Sequence, residues 1–207
     1  GYRLGLFKNE KIRNIPVFRV FELPYHSTRP ILRIANYISF MLSAPIGAIF
    51  SPKADVIYVW HPPLTIGVAA WLIGKIKRVP FVYDVQDIWG SFTVLSGMVR
   101  EGGAAIKLIR WLERFVAKRA SHTIVQTAAG AEYFTERGVP AEKISILPHW
   151  IDEAVFGRAK DDDRQAVRAE FGWGSRFIIL FAGNIGIVQG LESVLEAARL
   201  LPNDNAK

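Results

Sequence analysis

Residues 55–89 read DVIYVWHPPLTIGVAAWLIGKIKRVPFVYDVQDIW, and the hydrophobic pattern of this stretch frames the rest of the chain. Residues 56–60 are a short apolar, β-rich run closed by His61-Pro62-Pro63, where two prolines cannot continue a ladder. Residues 64–76 are long enough for a buried helix, and the cations Lys75, Lys77 and Arg78 suit the negative end of its dipole. Pro80 then opens a second apolar run over 81–85. Strand, crossover helix and strand make a βαβ unit, and hence a parallel sheet. Ligands of such sheets bind beyond the carboxyl ends of the strands. Those ends carry His61 and, after the second strand, Gln86, Asp87, Ile88 and Trp89.

Upstream, residues 4–7 and 15–21 flank a polar turn at 8–11 and predict a short strand pair. Pro30 suits the first turn of a helix, and 31–50 hold a single charge, Arg33. At about 1.5 Å per residue, that stretch is long enough to cross about 30 Å of hydrocarbon. Asn36, Ser39, Ser43, Pro45 and Gly47 interrupt it. It reads as a spanning helix, a helix lying at a membrane interface, or a core helix.

Downstream, 91–103 read as loop, with Gly97, Gly102 and Gly103. Residues 104–120 carry the clearest amphipathic pattern. Leu108, Ile109, Leu112, Phe115 and Val116 make an apolar stripe, while Lys107, Arg110, Arg114 and Lys118 recur on another face. That basic face is either the solvated side of a sheet-covering helix or a patch that sits on anionic lipid. A second βαβ unit follows, with strands at 123–126 and 143–147 around a helix at 128–137. Gly138 fits the left-handed cap of that helix and Pro140 the stop beyond it. A polar crossing with Asp161-Asp162-Asp163 places a domain boundary between about 153 and 175. The pattern then restarts as a buried strand over 176–182, a glycine-punctuated loop over 183–190 and a helix over 191–201.

Composition narrows the class. The 207 residues are 50% hydrophobic and 22% charged, which supports a sizeable core and argues against disorder. The absence of cysteine excludes disulfides and thiolate metal sites and fits a reducing compartment. The chain starts at Gly1 without a signal-peptide pattern and stops at Lys207 just after a helical pattern, so it reads as a fragment. Net charge is +7, unevenly spread. Residues 1–120 hold 17 Lys+Arg against 7 Asp+Glu, and residues 121–207 hold 9 against 12. The basic half points to an anionic partner: lipid headgroups, nucleic acid or a phosphorylated acceptor.

The chemistry-bearing positions are few. Gly183, Gly186 and Gly190 between a strand and a helix start let backbone approach a ligand, with helix N–H groups to hold phosphate. The loop is neither the GxGxxG fingerprint nor a P-loop. His61 either fixes the Pro62-Pro63 turn or lines a cleft. Trp89 either packs in the core or presents its ring to a ligand. No His, Asp and Glu cluster has metal-ligand spacing.

Three ordered blocks carry a resemblance: VIYVWHPPLTIGVAAWLIGKIKRVPFVYDVQDIW, ERGVPAEKISILPHWID and FAGNIGIVQGLESVLEAARLL. Together they resemble family-4 glycosyltransferases of the GT-B fold, in the branch that builds bacterial O-antigen, capsule and exopolysaccharide. The resemblance implies an α/β architecture of two Rossmann-like domains, the N-terminal one nearly complete and the C-terminal one only begun. It implies an acceptor-binding domain over 1–155 that lacks its first strand, a crossing over 156–175, and the start of a nucleotide-sugar-binding domain over 176–207. It further implies retaining transfer from a nucleotide diphosphate sugar to a lipid-linked or glycan acceptor, with no cofactor or metal.

Residue by residue, the resemblance assigns Gly183, Asn184, Gly186, Gln189 and Gly190 to the donor, and His61, Gln86 and Trp89 to the acceptor or cleft. Relatives often place His where Gln86 stands, and Gln takes no proton at neutral pH, so Asp87 remains as the catalytic candidate. Relatives also carry Arg and Lys where this chain has Asn184 and Gln189, which removes two cations from the leaving phosphate. The expected setting is the inner, cytoplasmic face of the membrane, held peripherally by Lys107, Arg110, Arg114 and Lys118 against anionic lipid, with no nucleic acid partner. A nucleotide-sugar 2-epimerase of the same fold and a non-catalytic membrane-surface module are the alternatives.

Overall fold

The computed structural model describes residues 5, 7–24, 29–157 and 161–201. It divides into two compact units, Gly1–Pro148 and His149–Lys207.

The first unit opens with an antiparallel hairpin, β1 (Phe7–Ile12) and β2 (Ile15–Val20). The expected turn at 8–11 is instead part of β1, and the chain reverses at Arg13 and Asn14, both at positive φ. A two-residue loop with left-handed residues matches strand twist, so Arg13-Asn14 outcompetes the more polar stretch before it. Of the strand predicted over 4–7, Leu4 and Leu6 lie outside the described residues.

Helix α1 (Pro30–Ile49) follows, then β3 (Ile57–His61), α2 (Thr65–Lys77) and β4 (Phe81–Val85). Next come α3 (Trp89–Leu95), α4 (Ala104–Arg119), β5 (His122–Val125), α5 (Ala128–Glu136) and β6 (Ile144–Ile146). Strands β3, β4, β5 and β6 lie in that order, and each neighbouring pair is parallel. Both βαβ units are therefore present. The α2 helix closes on Arg78, which takes the left-handed conformation, and Thr127 caps α5 through Gly130 N–H.

The core lies on one face of the sheet. Val59, Phe81, Tyr83, Val85 and Val125 meet Ala70 of α2, Val116 and Ala117 of α4 and Phe134 of α5. Close approach of α2 depends on Gly67, where an added Cβ would stand 2.6 Å from a Val116 methyl and 3.0 Å from the Tyr83 ring. On the opposite face β3 turns Tyr58 and Trp60 outward, both more than half exposed.

Two helical expectations change. Helix α3 takes Trp89–Leu95, so 91–95 are helical where loop was expected, because a buried side chain elsewhere holds the first turn (below). In α4 the buried stripe is Ile106, Glu113, Val116 and Ala117, whereas Leu108 and Trp111 are exposed. Of the expected apolar stripe, Val116 is buried and Ile109, Leu112 and Phe115 are half-buried, so the inward face stands as expected except at Leu108, with Glu113 added to it.

Helix α1 is not a core helix. Asn36 donates to Glu22 Oε1 at 2.6 Å and to the Leu23 carbonyl. Ser39 accepts from Leu23 N–H at 2.9 Å, and Ser43 donates to the Phe21 carbonyl. The polar residues face inward while a line of isoleucines faces out.

In the second unit, α6 (Glu153–Phe156), α7 (Asp161–Glu170) and α8 (Leu191–Arg199) are helical. Residues 176–182 form neither helix nor strand, and Phe177, Ile179 and Leu180 are exposed, contrary to the buried strand expected there. A strand needs a neighbour for its N–H and C=O groups, and the described residues of this unit include none.

Candidate functional site at the carboxyl edge of the sheet

Because β3, β4 and β5 run parallel, their carboxyl ends lie side by side. Alternation along each strand divides what gathers there between two faces. On the outer face stands Asp84, an acid inside the apolar β4 and only 3% exposed. Its carboxylate accepts from Gln86 Nε2 at 2.8 Å, from Gln126 Nε2 at 3.0 Å and from the Tyr58 hydroxyl. The hydrogen bond to Asp84 pushes the Tyr58 hydroxyl up to about 12, so it stays a donor. Carboxylate, two carboxamides and a phenol make a fixed array of donors and acceptors.

On the inner face, His61 is fully buried and neither ring nitrogen has a hydrogen-bond partner among the described residues. Its ring lies edge-on to Tyr83 at 5.6 Å and to Trp89 at 6.0 Å, and Trp89 in turn meets Tyr37 of α1 at 5.9 Å. Burial pushes the imidazole down to about 3, so it is neutral. The structure thus brings His61 and Trp89 together and puts Gln86 with Asp84 on the other face. Asp87 is exposed, and its side chain has no partner among the described residues.

What holds this turn is Glu113 of α4, 1% exposed. Its Oε1 accepts from Gly90 N–H at 2.9 Å, and its Oε2 from the Tyr133 hydroxyl of α5 at 2.8 Å. Gly90 is in the first turn of α3, whose N–H groups have no helical partners of their own. No side chain fits at Gly90, since a Cβ there would stand 2.7 Å from Glu113 Oε2 and 2.6 Å from Tyr133 Oη. Burial pushes the Glu113 carboxyl up, against the hydrogen bonds from Gly90 and Tyr133. Neither Asp84 nor Glu113 was singled out from sequence. The signal for Asp84 is an acid inside an apolar strand run, and for Glu113 an acid within one helical turn of the inward-facing Ile109, Leu112 and Val116.

The basic face of α4 is uneven. Arg110 pairs bidentately with Glu101 at 2.7 and 3.0 Å, so its charge is answered locally. Lys107 and Arg114 are exposed, and Lys118 Nζ lies where a Cβ on Gly138 would meet it at 3.0 Å.

A model of the glycosyl transferase 4-like domain matches residues 5–150. The chain belongs to this family.

Among curated relatives, WcaI of Escherichia coli (strain K12), named for colanic acid biosynthesis as a glycosyl transferase, is 29% identical over 177 residues. That alignment covers 83% of this chain and 44% of WcaI. WbjE of Pseudomonas aeruginosa, named as a glycosyltransferase, is 24% identical over 155 residues, 74% of this chain and 38% of its own length. The chain thus spans less than half the length of the curated relatives it matches. Anabaena Alr3699/HepE, crystallised with UDP and glucose, matches with a TM-score of 0.59 at 19% identity over 87% of this chain and 44% of that one. Its complex with UDP-glucose gives 0.58 at 20% identity, over 84% and 43%. The α/β fold with its parallel sheet is of the GT-B type.

The array around Asp84 and the turn at 86–90 lie within the glycosyl transferase 4-like match, and the donor-loop candidates lie beyond it. In that loop Gly186 is extended, Ile187–Gln189 form a 3-10 turn, and Gly190 at φ 59° caps α8 in the left-handed region. Asn184 and Gln189 are exposed, and no side chain caps α8. Glu192 in the first turn of α8 opposes an anion at that helix end. Among the described residues no three His, Asp or Glu side chains are grouped to hold a metal.

Two outcomes follow from the buried groups. Glu113→Ala strands Gly90 N–H and the Tyr133 hydroxyl in the interior and is expected to cost about 2–4 kcal/mol by urea denaturation. Glu113→Gln, which keeps an acceptor for Gly90, is expected to cost less than half of that. For His61 the folded value is depressed, so its contribution is full above the unfolded value of 6.5 and is lost as pH falls toward about 3. Stability should drop by about 1.4 kcal/mol per pH unit through that window. Glu113, with its raised value, works in the opposite sense. The His61 share is therefore the slope that disappears in His61→Asn.

Proposed function

We propose that the protein is a retaining glycosyltransferase that moves a sugar from a nucleoside diphosphate sugar to a lipid-linked or glycan acceptor in bacterial cell-surface polysaccharide synthesis. The observation that carries this reading is the glycosyl transferase 4-like match over residues 5–150, within which the carboxyl-edge array lies. The UDP and UDP-glucose complexes of the Anabaena neighbour support a uridine diphosphate sugar as the first donor to test.

In the proposed reaction the acceptor hydroxyl oxygen bonds to the anomeric carbon. The bond from that carbon to the β-phosphate oxygen breaks, and its electron pair leaves with the nucleoside diphosphate. The hydroxyl proton passes to the departing phosphate. Retention in one step requires attack from the face the phosphate leaves. Asp87, exposed and unpartnered, accepts a hydrogen bond from a substrate hydroxyl, and the amides of Gln86 and Gln126 fix hydroxyl orientation through Asp84. A planar amide or carboxylate offers the paired donors and acceptors that sugar hydroxyls match.

The diphosphate is assigned to residues 183–190 and the start of α8, where N–H groups are uncapped. No cation stands at Asn184 or Gln189, so backbone N–H groups carry the phosphate contacts there. The site of action is the inner, cytoplasmic face of the membrane.

The test is calorimetry with UDP-glucose on the full-length protein. Gly190→Val puts a β-branched residue at φ 59° and should weaken donor binding at least about tenfold, since non-glycine residues there are strained. Equal affinity in the two proteins would remove the donor loop from the account.

A further inference from the structure

From the orientation of α1 we infer that this helix is the protein's membrane-seating element, its outer face lying along an anionic bilayer surface. The inference rests on the reading of a membrane-surface enzyme and names the surface involved. Ile31, Ile34, Ile38, Leu42, Ile46 and Ile49 are spaced by three or four residues and form one straight stripe. Each is between 40% and 79% exposed. The stripe runs about 27 Å at 1.5 Å per residue.

The amphipathicity of α1 is inverted relative to that of a soluble surface helix. Its polar side chains, Asn36, Ser39 and Ser43, are spent inward on the backbone of residues 21–23, and its branched apolar side chains face out. A surface helix of a protein meeting only water shows the reverse. The helix is long and apolar enough by composition to cross a membrane. Its inward face, however, is hydrogen-bonded and meets α2 through Thr65 Oγ1, which donates to the Tyr37 carbonyl. Lipid cannot surround such a helix, so it lies at the interface instead of spanning.

Charge selects lipid over other occupants. No Asp or Glu occurs from 29 to 54, while Arg33 stands near one end of the stripe and Lys53 just past the other. Lys77 adds a cation at that second end, its Nζ donating to the Pro52 carbonyl at 3.2 Å. Two copies paired across a two-fold axis in antiparallel fashion would bring Arg33 of one beside Lys53 of the other with no acid in the stripe to answer them. Anionic headgroups answer both ends, and the acyl boundary takes the isoleucines. In this respect α1 replaces α4, where Glu101 already neutralises Arg110.

The test is flotation of the full-length protein with vesicles of phosphatidylglycerol and phosphatidylethanolamine, and with phosphatidylcholine alone, at low and high salt. The ridge variant is I34S/I38S/L42S/I46S. The comparison variant is K107Q/R114Q/K118Q. The ridge variant should lose at least about tenfold in partition at low and high salt, because apolar burial is not screened. The α4 variant should lose about threefold at most.

Ile38→Cys carrying an environment-sensitive dye gives a second readout that does not depend on the quadruple variant folding. Its emission should shift to the blue on anionic vesicles. A ridge variant that partitions like wild type, or a dye at 38 that stays in water on bound protein, overturns the inference. So does a wild-type dimer that the ridge variant dissolves while neither protein floats. Transfer to a water-soluble acceptor analogue, assayed separately, keeps the two readings apart. Transfer without vesicle binding defeats the α1 inference alone, and α1-dependent binding without transfer defeats the transferase reading alone.

Discussion

A buried carboxylate ties this unit together. Glu113 receives Gly90 N–H from α3 on one oxygen and the Tyr133 hydroxyl from α5 on the other, so α4 fixes two neighbouring helices at once. Removing an ionisable group from water is costly, and the cost is met only when its hydrogen bonds are made. The consequence reaches the carboxyl edge of the sheet. Residues 86–89 leave β4 and must enter α3 at the position Gly90 occupies, and that position is set by Glu113. Trp89 is then held against His61, and Asp87 is left facing outward.

The same edge shows how alternation sorts chemistry. Tyr58, Asp84 and Gln126 project from one face of the sheet, and His61 and Tyr83 from the other. Of the residues at this edge, His61 thus joins an aromatic set with Tyr83 and Trp89, Gln86 joins the polar array around Asp84, and Asp87 is exposed. A neutral His61 among aromatic edges, without a hydrogen-bond partner among the described residues, suits a shape-defining role.

Much of this was legible in the chain. The two βαβ units follow from apolar runs bounded by Pro62-Pro63, Pro80 and Gly138, because buried parallel strands are continuous in hydrophobicity and their breakers are local. The parallel sheet and the GT-B fold stand as expected. Other features were not legible, for physical reasons. Helix α3 begins at Trp89-Gly90, a poor helix start, and exists because a residue distant in sequence supplies its cap. The hairpin turn depends on Arg13 and Asn14 accepting positive φ, which polarity alone does not reveal. The inward face of α4 was legible through Ile109, Leu112, Phe115 and Val116, but the burial of Glu113 was not, since its partners Gly90 and Tyr133 are distant in sequence. Helix α1 was legible as a helix but not in its orientation, since its polar side faces the protein. Residues 176–182 look like a strand but lack a partner among the described residues of their unit.

The central claim is that this glycosyl transferase 4-like chain belongs to a sugar transferase acting with retention. Proton NMR of the product formed by the full-length protein from a UDP-α-sugar and an acceptor tests it most directly. The account predicts an α-linked product from the first turnover, read from the small anomeric coupling. A β-linked product, or donor consumption to a 2-epimer without any new glycosidic bond, would contradict it.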